Sequence, residues 1–516
     1  MNKIDSLADT IKRKWADKPL QLILPLGILF RLLSVLLSKG FGMSDDHFLI
    51  IEIAQQWVDK QTHNNWLPSE TVQHASGHSL FYTGLHYFLF RFFNLIGFTD
   101  PDAKMYVIRL LHAAFSVITI ILGYKITEHY SNKKNARIAG LLLAIYWFMP
   151  MLSVRNLVEV VCVPFLLYAT WLIIKAEANN KQTTFLYAGL IAGLAFSIRF
   201  QSLFFVGGFG LYLLIKKQFK PAILFGLGAF ACMALIQGLI DYNTWGRPFA
   251  EFFEYVNYNM HSPYAYSTQP WYNYFLTLGG ILIPPVSLFL LFGYFKLWRK
   301  YLLLFLPAFL FLAFHSYFPN KQERFIFPIV PFIIMLGIIG WNEFVDGSGF
   351  WQKRQKLLRG CWIFFWVLNT LPLLFITCSY SKRNRVEAML YLQTKGDVKN
   401  LIIEDTNRDD WMMPPLFYLK KWISPYGVTQ TLTHDTLKFN LSTVPIRERP
   451  NYVIFMQAEN LDKRVDDFQK NYATLKYETT VEPGSMDRLL HWLNPNNENN
   501  TSTIYKIEKV LTDTIH

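Results

Sequence analysis

Apolar residues run along this chain in long blocks, without the two-residue alternation of a half-exposed strand. Near-continuous apolar stretches occupy 20–38, 104–127, 137–150, 157–174, 184–198, 202–215, 221–241, 272–294, 301–315, 325–342 and 361–379. Roughly 20 apolar residues cross the hydrocarbon of a bilayer, so the pattern predicts a polytopic, mostly α membrane bundle of about 11 spans, several of them short. The run 79–97 is also apolar, but it follows His78 and carries His86 and Arg91; it reads as a span or as a helix lying in the interface. After 379 the pattern changes. Short β-type runs at 398–403, 452–456, 475–480 and 503–509 alternate with helical patterns at 385–393, 414–423, 459–471 and 485–493, and 494–502 is a polar loop. Alternating strands and helices predict a small α/β domain with a partly parallel sheet. The expected organisation is therefore a membrane domain over 1–379 and a soluble domain over 380–516.

Charge sets the orientation. Lys and Arg recur at 3, 12–14 and 18, at 133, 134 and 137, at 175 and 181, at 216, 217 and 220, at 296, 299 and 300, and at 353, 354, 356 and 359. If 79–97 does not cross, these are alternate loops, and the positive-inside rule places them all in the cytoplasm. The loops 39–78, 151–156, 199–201, 242–271 and 316–324, and the domain after 379, then face the periplasm or lumen. The net charge of +13 follows from this loop bias, so it gives no reason to expect a nucleic-acid partner. Only 17% of the 516 residues are charged, against roughly a quarter in soluble chains. The polar start, Met1-Asn2-Lys3, lacks the early apolar core of a cleaved signal peptide, so the first apolar run reads as a retained span. The four cysteines, Cys162, Cys232, Cys361 and Cys378, lie in apolar stretches without metal-binding spacing and read as buried free thiols.

Candidate chemistry gathers in the outward loops. Directly after the first span stands Ser44-Asp45-Asp46-His47-Phe48, with Glu52 seven residues after Asp45. Carboxylates this close to a bilayer are costly unless solvated or used. One within reach of an acceptor hydroxyl can take its proton; a helix N-cap is the plainer use. Asp45, Asp46 and His47 together leave a divalent metal open as an incomplete ligand set. The segment Asn320-Lys321-Gln322-Glu323-Arg324-Phe325 heads another span. Its Lys321 and Arg324 can grip a phosphate at the interface, or merely snorkel. Arg199, at the outer end of its span, is a further phosphate candidate. The long loop 242–271 is rich in aromatic and amide groups, which suit sugar faces and sugar hydroxyls, or equally an interfacial aromatic belt.

Taken in order, these segments resemble glycosyltransferase family 22, the lipid-linked mannosyltransferases of N-glycan and GPI-anchor assembly. Ser44-Asp45-Asp46-His47-Phe48 with Glu52 is similar to the family's Pro-Asp-Glu-x-Phe-like signature and its later Glu. Asp241 to Arg247, followed by Asn257 and Asn259, looks like the family's Asp-x-x-x-(Tyr/Phe)-Gly-x-Trp-like segment. Gln269-Pro270-Trp271-Tyr272-Asn273-Tyr274 looks like its His-Pro-Trp-x-x-Tyr segment. Asn320 to Phe325, with Pro328 and Pro331, looks like its His-Lys-Glu-x-Arg-Phe-x-x-Pro-x-x-Pro signature. Gln269 and Asn320 stand where the family has His, and Gln322 where it has Glu.

The resemblance covers about residues 20–345 and implies the GT-C architecture and a polyprenyl-phosphate sugar donor. It implies inverting transfer of a hexose, mannose first, to a lipid-linked or glycan acceptor, without a cofactor. Asp45, and second Asp46, would be the base. His47, Glu52, Asp241, Trp245, Gln269, Trp271 and Tyr272 would line acceptor or sugar, and Lys321, Arg324 and Arg199 would hold the lipid phosphate. The tail after 379 suggests a bacterial inner-membrane enzyme with a periplasmic domain; a eukaryotic one would sit in the endoplasmic reticulum. The rival readings are an oligosaccharide ligase or polymerase, a secondary transporter and a non-catalytic assembly subunit. A transporter would carry ionisable groups near mid-bilayer, whereas the acidic residues here sit in outer loops.

Overall fold

The computed structural model describes residue 9 and residues 12–61, 66–69, 72–265, 267–494 and 501–510; Met1-Asn2-Lys3 and most of the polar loop 494–502 lie outside the described residues. The chain forms two compact units. One comprises residues 1–36, 65–88 and 107–377, the other 37–64, 89–106 and 378–516.

The first unit is a helical bundle. Six helices are long and apolar enough to cross a membrane: Leu20–Leu37, Pro101–Tyr130, Val158–Asn179, Phe219–Trp245, Glu323–Gly347 and Gln355–Thr377. Four shorter apolar helices, Gln182–Ile198, Phe200–Ile215, Val286–Lys296 and Leu302–Tyr317, join them. The protein is an integral membrane protein. The apolar stretch 272–294 is two helices, Asn273–Ile281 and Val286–Lys296. Pro284 and Pro285 lie between them, and proline lacks the N–H that would continue the ladder. The stretch 79–97 is one helix, Leu80–Leu95, with Leu85, Phe88, Phe92 and Leu95 exposed. The cysteines are all free, but only Cys162 and Cys232 are buried; Cys361 is half-buried and Cys378 exposed.

Glu323–Gly347 is the centre of the bundle. Its apolar window is 89% buried, against 28% for Leu20–Leu37 and for Gln355–Thr377. Small residues allow this packing. A Cβ on Gly340 would lie 2.1 Å from the carbonyl oxygen of Gly293, and a Cβ on Gly293 would lie 2.1 Å from that of Gly337. The Val286–Lys296 helix therefore crosses the central helix backbone to backbone. Gly340→Leu must push the two apart, at a cost of about 1–3 kcal/mol. A lower melting temperature of the detergent-solubilised protein is expected, and an unchanged one would show that the crossing is loose. Buried cations in this unit brace helices. Arg31 donates from Nε to Ser116 Oγ (2.7 Å) and from Nη1 to the carbonyls of Ala144 (3.0 Å) and Gly27 (3.1 Å). Arg109 donates from Nε to the carbonyl of Val35 (3.0 Å).

The second unit holds a five-stranded mixed sheet. Its strands are β1 (Leu401–Glu404), β2 (Tyr426–Val428), β3 (Tyr452–Met456), β4 (Ala473–Val481) and β5 (Ser502–Val510), in the order β2-β1-β3-β5-β4. β1 pairs in parallel with β2 and β3, while β5 pairs antiparallel with β3 and β4. The partly parallel sheet expected from the alternating pattern is present. β2 and the helix His434–Ser442 are additions to it. β1 and β3 are buried along their whole length, as central parallel strands are. Ile402, Val453, Phe455, Leu437 and Phe468 form the core. The segment after the first span also belongs to this unit: Ser381 N–H donates to the carbonyl of Lys39 (3.1 Å), and Lys39 Nζ lies 2.8 Å from Asp102.

Asp405, just past β1, is buried, and it accepts from Gln457 Nε2 (3.3 Å). Burial pushes its carboxyl up from 3.8 to about 6, against the pull of Arg408 and Arg464. A carboxyl with a raised folded pKa holds its proton more tightly when folded. Its stabilising contribution is complete below the ordinary value and is lost as pH rises through about 6. Asp405→Asn is therefore expected to flatten the fall in melting temperature between about pH 5 and about pH 7.5. An equal fall in both proteins would refute the assignment.

Candidate active site

The segment after the first span folds as a short helix, Ser44–His47, then a wide turn, Phe48–Glu52, then the helix Ile53–Val58. Wide turns of this kind are rare and recur at functional sites. The Asp46 carboxylate folds back to the helix start, where it accepts from the N–H groups of Gly42 (3.1 Å) and Met43 (3.0 Å). Those donors would otherwise be orphaned. His47 is 1% exposed and stacks between Phe41 (centroids 4.7 Å) and Tyr418 (5.4 Å). Its Nε2 lies 3.5 Å from Glu52 Oε1. Glu52 is buried, and Oε1 accepts the N–H of Phe417 (3.0 Å). The Arg385 guanidinium covers Phe41 and Phe48 at 5.2 and 5.5 Å. Asp46, His47 and Glu52 thus fasten the loop to itself and to residues 415–419. Asp45 is half-buried. The three side chains proposed to share a metal do not converge; among the described residues no group of three His, Cys, Asp or Glu side chains is placed to hold one.

In the first unit, two arginines flank one buried carboxylate, with Lys321 three residues before the second of them. Helix Gln182–Ile198 ends at Arg199, whose backbone is extended, and its buried side chain meets Glu159 (Nη1 to Oε1, 3.0 Å). Nη2 donates to the carbonyl of Phe325 (3.2 Å), and Phe311 and Phe325 lie against the guanidinium, each 5.7 Å away. Arg324 Nε donates to Gln322 Oε1 (2.8 Å) and lies 3.8 Å from the same Glu159 oxygen. Lys321 Nζ donates to the carbonyl of Phe318 and sits 5.8 Å from the Tyr274 ring. Burial pulls the Lys321 ammonium below its usual range. Arg199 Nε and Glu159 Oε2 have no hydrogen-bond partner among the described residues. An anion could accept from Arg199 Nε, and planar guanidinium groups suit phosphate.

The loop before Tyr274 is stitched to the same segment. Lys321 N–H donates to the carbonyl of Ser267 (3.0 Å), Gln269 N–H to that of Pro319 (3.2 Å), and Tyr274 Oη to that of Gln322 (3.2 Å). Gln269, Trp271 and Tyr272 are thereby held beside Lys321 with their side chains outward; Trp271 is 66% and Tyr272 47% exposed.

Asp241 and Trp245 have a different setting. Asp241 is fully buried and accepts from Gln237 Nε2 (2.8 Å) and the N–H of Glu251 (3.0 Å). Trp245 Nε1 donates to Glu251 Oε1 (2.8 Å). The other Glu251 oxygen accepts from Ser76 Oγ (2.8 Å) and from the N–H groups of Gly77 (2.7 Å) and His78 (3.2 Å). Burial raises the Glu251 carboxyl, and these donors oppose it. The pair therefore anchors the turn 76–78. Sequence reasoning left Glu251 unnoticed and gave Glu159 no role. A lone Glu inside an aromatic loop, or at a span end, carries no local signal, although the cations at 199 and 324 imply a nearby carboxylate.

Comparison with known proteins adds to this picture. The sequence model of the family described as the Alg9-like mannosyltransferase family matches residues 22–405. A mannosyltransferase of Arabidopsis thaliana is 22% identical over 403 residues, covering 72% of this chain and 71% of that protein. The GPI mannosyltransferase 3 of Debaryomyces hansenii is 22% identical over 383 residues, covering 72% and 67%. Among solved structures, ArnT of Cupriavidus metallidurans, bound to undecaprenyl phosphate, superposes with a TM-score of 0.59 at 11% identity, over 94% of this chain and 97% of that one. The oligosaccharyltransferase of Archaeoglobus fulgidus, in complex with Zn and sulfate, superposes at 0.54 and 12% identity, over 89% and 72%. The shared fold is the GT-C one.

Proposed function

Because this chain belongs to the Alg9-like mannosyltransferase family, we propose that it moves one mannose, with inversion, from a polyprenyl-phosphate carrier to a glycan or lipid-linked acceptor on the periplasmic or lumenal face. The acceptor hydroxyl oxygen forms a bond to the sugar's anomeric carbon as the bond from that carbon to the phosphate oxygen breaks. The leaving electron pair stays on the lipid phosphate, and the hydroxyl proton passes to Asp45. Arg199, Arg324 and Lys321 hold the phosphate and stabilise the charge gathering on it. Asp46, His47 and Glu52 set the turn that presents Asp45; Asp241 and Trp245 act through Glu251 on the loop architecture. Gln269, Trp271 and Tyr272 contact sugar or acceptor.

The observation that carries this reading is the buried pair of arginines, Arg199 and Arg324, with one carboxylate, Glu159, between them. The relatives' names support mannose, and the undecaprenyl phosphate in the ArnT structure supports a lipid-phosphate donor. The test is transfer by the purified protein from synthetic polyprenyl-phosphate mannose to lipid-extracted acceptors, with the anomeric configuration of donor and product read by NMR. Opposite configurations are expected. Retained configuration removes the single-base mechanism, and no transfer from any polyprenyl-phosphate hexose removes the reading.

No metal enters this mechanism, because cationic side chains neutralise a leaving group that is already stable. Transfer is expected to proceed at the same rate in excess EDTA. A loss restored by Mg²⁺ or Mn²⁺ would assign the charge stabilisation to an ion instead.

A further inference from the structure

The second unit contains a cavity of about 520 Å³ that the transfer mechanism does not use. Its size falls in the range of ~300–1,000 Å³ typical of small-molecule sites. The walls come from helix Ile53–Val58, the first turn of helix Pro101–Tyr130, and residues 417–422. Three lysines line it, Lys104, Lys420 and Lys421, against one carboxylate, Asp59. Lys104 is only 3% exposed, and the acceptors it has, Gln55 Oε1 (2.9 Å) and Asn94 Oδ1 (3.0 Å), are both neutral amides. Asp59 is occupied in construction: Oδ1 accepts from Gln55 Nε2 (2.9 Å) and Oδ2 from Trp422 Nε1 (2.8 Å). That bond fixes the indole at the cavity wall. Lys420 Nζ donates to Thr99 Oγ1 at 3.4 Å.

The composition is specific. The Gln55 amide is taken up by Lys104 and Asp59, and the exposed Asn94 amide can pair with hydroxyls, which both donate and accept. An indole face packs on the C–H face of a sugar ring. Ammonium groups outnumbering carboxylates by three to one leave net positive charge for an anion. We propose that this cavity binds a phosphorylated saccharide and that, within the transferase reading on which this role rests, it is where the acceptor glycan is recognised. Trp422 and the exposed Asn94 amide take the sugar, and Lys104, Lys420 and Lys421 take its phosphate.

The same chemistry comes from a free sugar phosphate or from a lipid-borne one. Calorimetric titration of the full-length protein, in nanodiscs of phosphatidylcholine, with mannose 6-phosphate, mannose and inorganic phosphate separates the contributions. Mannose 6-phosphate is expected to bind more tightly than either part alone. The exposed pair Lys420→Gln/Lys421→Gln should weaken it about tenfold, and Trp422→Leu should weaken mannose 6-phosphate while leaving inorganic phosphate unchanged. Nanodiscs that also contain phosphatidylinositol distinguish the sources. Competition there assigns the cavity to a lipid headgroup; its absence assigns it to a soluble or distal glycan phosphate. Unchanged affinities in all variants, or no binding by the wild type, overturn the site. In the transfer assay, the lysine pair should raise the acceptor KM with kcat kept; an unchanged KM removes the acceptor role alone. A wild type that binds mannose 6-phosphate but transfers nothing would defeat the transferase reading while leaving the cavity's ligand assigned.

Discussion

Asp45→Asn is expected to lower kcat by roughly 10²–10⁴-fold, the usual worth of a general base, with little change in melting temperature. The amide is isosteric but does not accept the hydroxyl proton. Asp45 is half-buried, whereas its neighbour is enclosed and accepts two backbone N–H groups. Asp46→Asn keeps one acceptor oxygen but loses the charge assistance of both bonds. A stability loss of about 1 kcal/mol is expected, with a smaller effect on kcat than in the Asp45 variant. The two substitutions, one residue apart, should therefore split into a chemical defect and a folding defect. The result that sinks the assignment is full turnover by purified Asp45→Asn. A reversed pattern, with Asp46→Asn inactive and stable, would move the base to Asp46.

The second large effect is at the cation cluster. Arg324→Ala is expected to reduce kcat/KM for the donor by about 10²-fold, in the range seen when one donor to a developing oxyanion is removed. Arg324→Lys should recover part of this, since charge remains but the fork is lost. Arg199 needs a different design. Removing it leaves buried Glu159 with only the longer Arg324 contact of 3.8 Å, and breaking a buried pair typically costs about 3–5 kcal/mol. Arg199→Gln alone would therefore unfold the site locally and say little about phosphate. The double variant Arg199→Gln/Glu159→Gln replaces the pair with neutral amides and should restore stability while donor KM remains high. If the double variant is stable and takes donor as well as the wild type, Arg199 is a brace, and the phosphate assignment falls back on Lys321 and Arg324.

Much of this protein could be read directly along the chain. Continuous apolar runs announce membrane helices because the solvent around them is lipid. The change of pattern after 379 announced a mixed sheet, and four of its strands lie where β-rich runs stand. β2 escaped because three residues, Tyr426–Val428, make no period. Lys321 and Arg324 stood out because cations at the head of a span need a reason. The apolar runs had no means of showing which helix is central. Lipid-facing and core-facing residues are equally apolar, so burial of Glu323–Gly347 is decided only by packing, through glycines such as Gly293 and Gly340.

The same limit applies to the candidate chemistry. In sequence, Asp45, Asp46, His47 and Glu52 are one acidic motif. In the fold they divide, because a helical turn points neighbouring residues to different sides. What waits on the inner side is Phe417, 365 residues beyond Glu52. Asp241 and Trp245 are drawn inward by Glu251, and Arg199 by Glu159. Lys104 and Trp422 become walls of one cavity from distant parts of the chain. Local sequence determined which residue types are present and which segments sit in lipid. Long-range contacts decided which charged groups are spent holding the fold, because a buried charge must find its partner wherever the chain brings one.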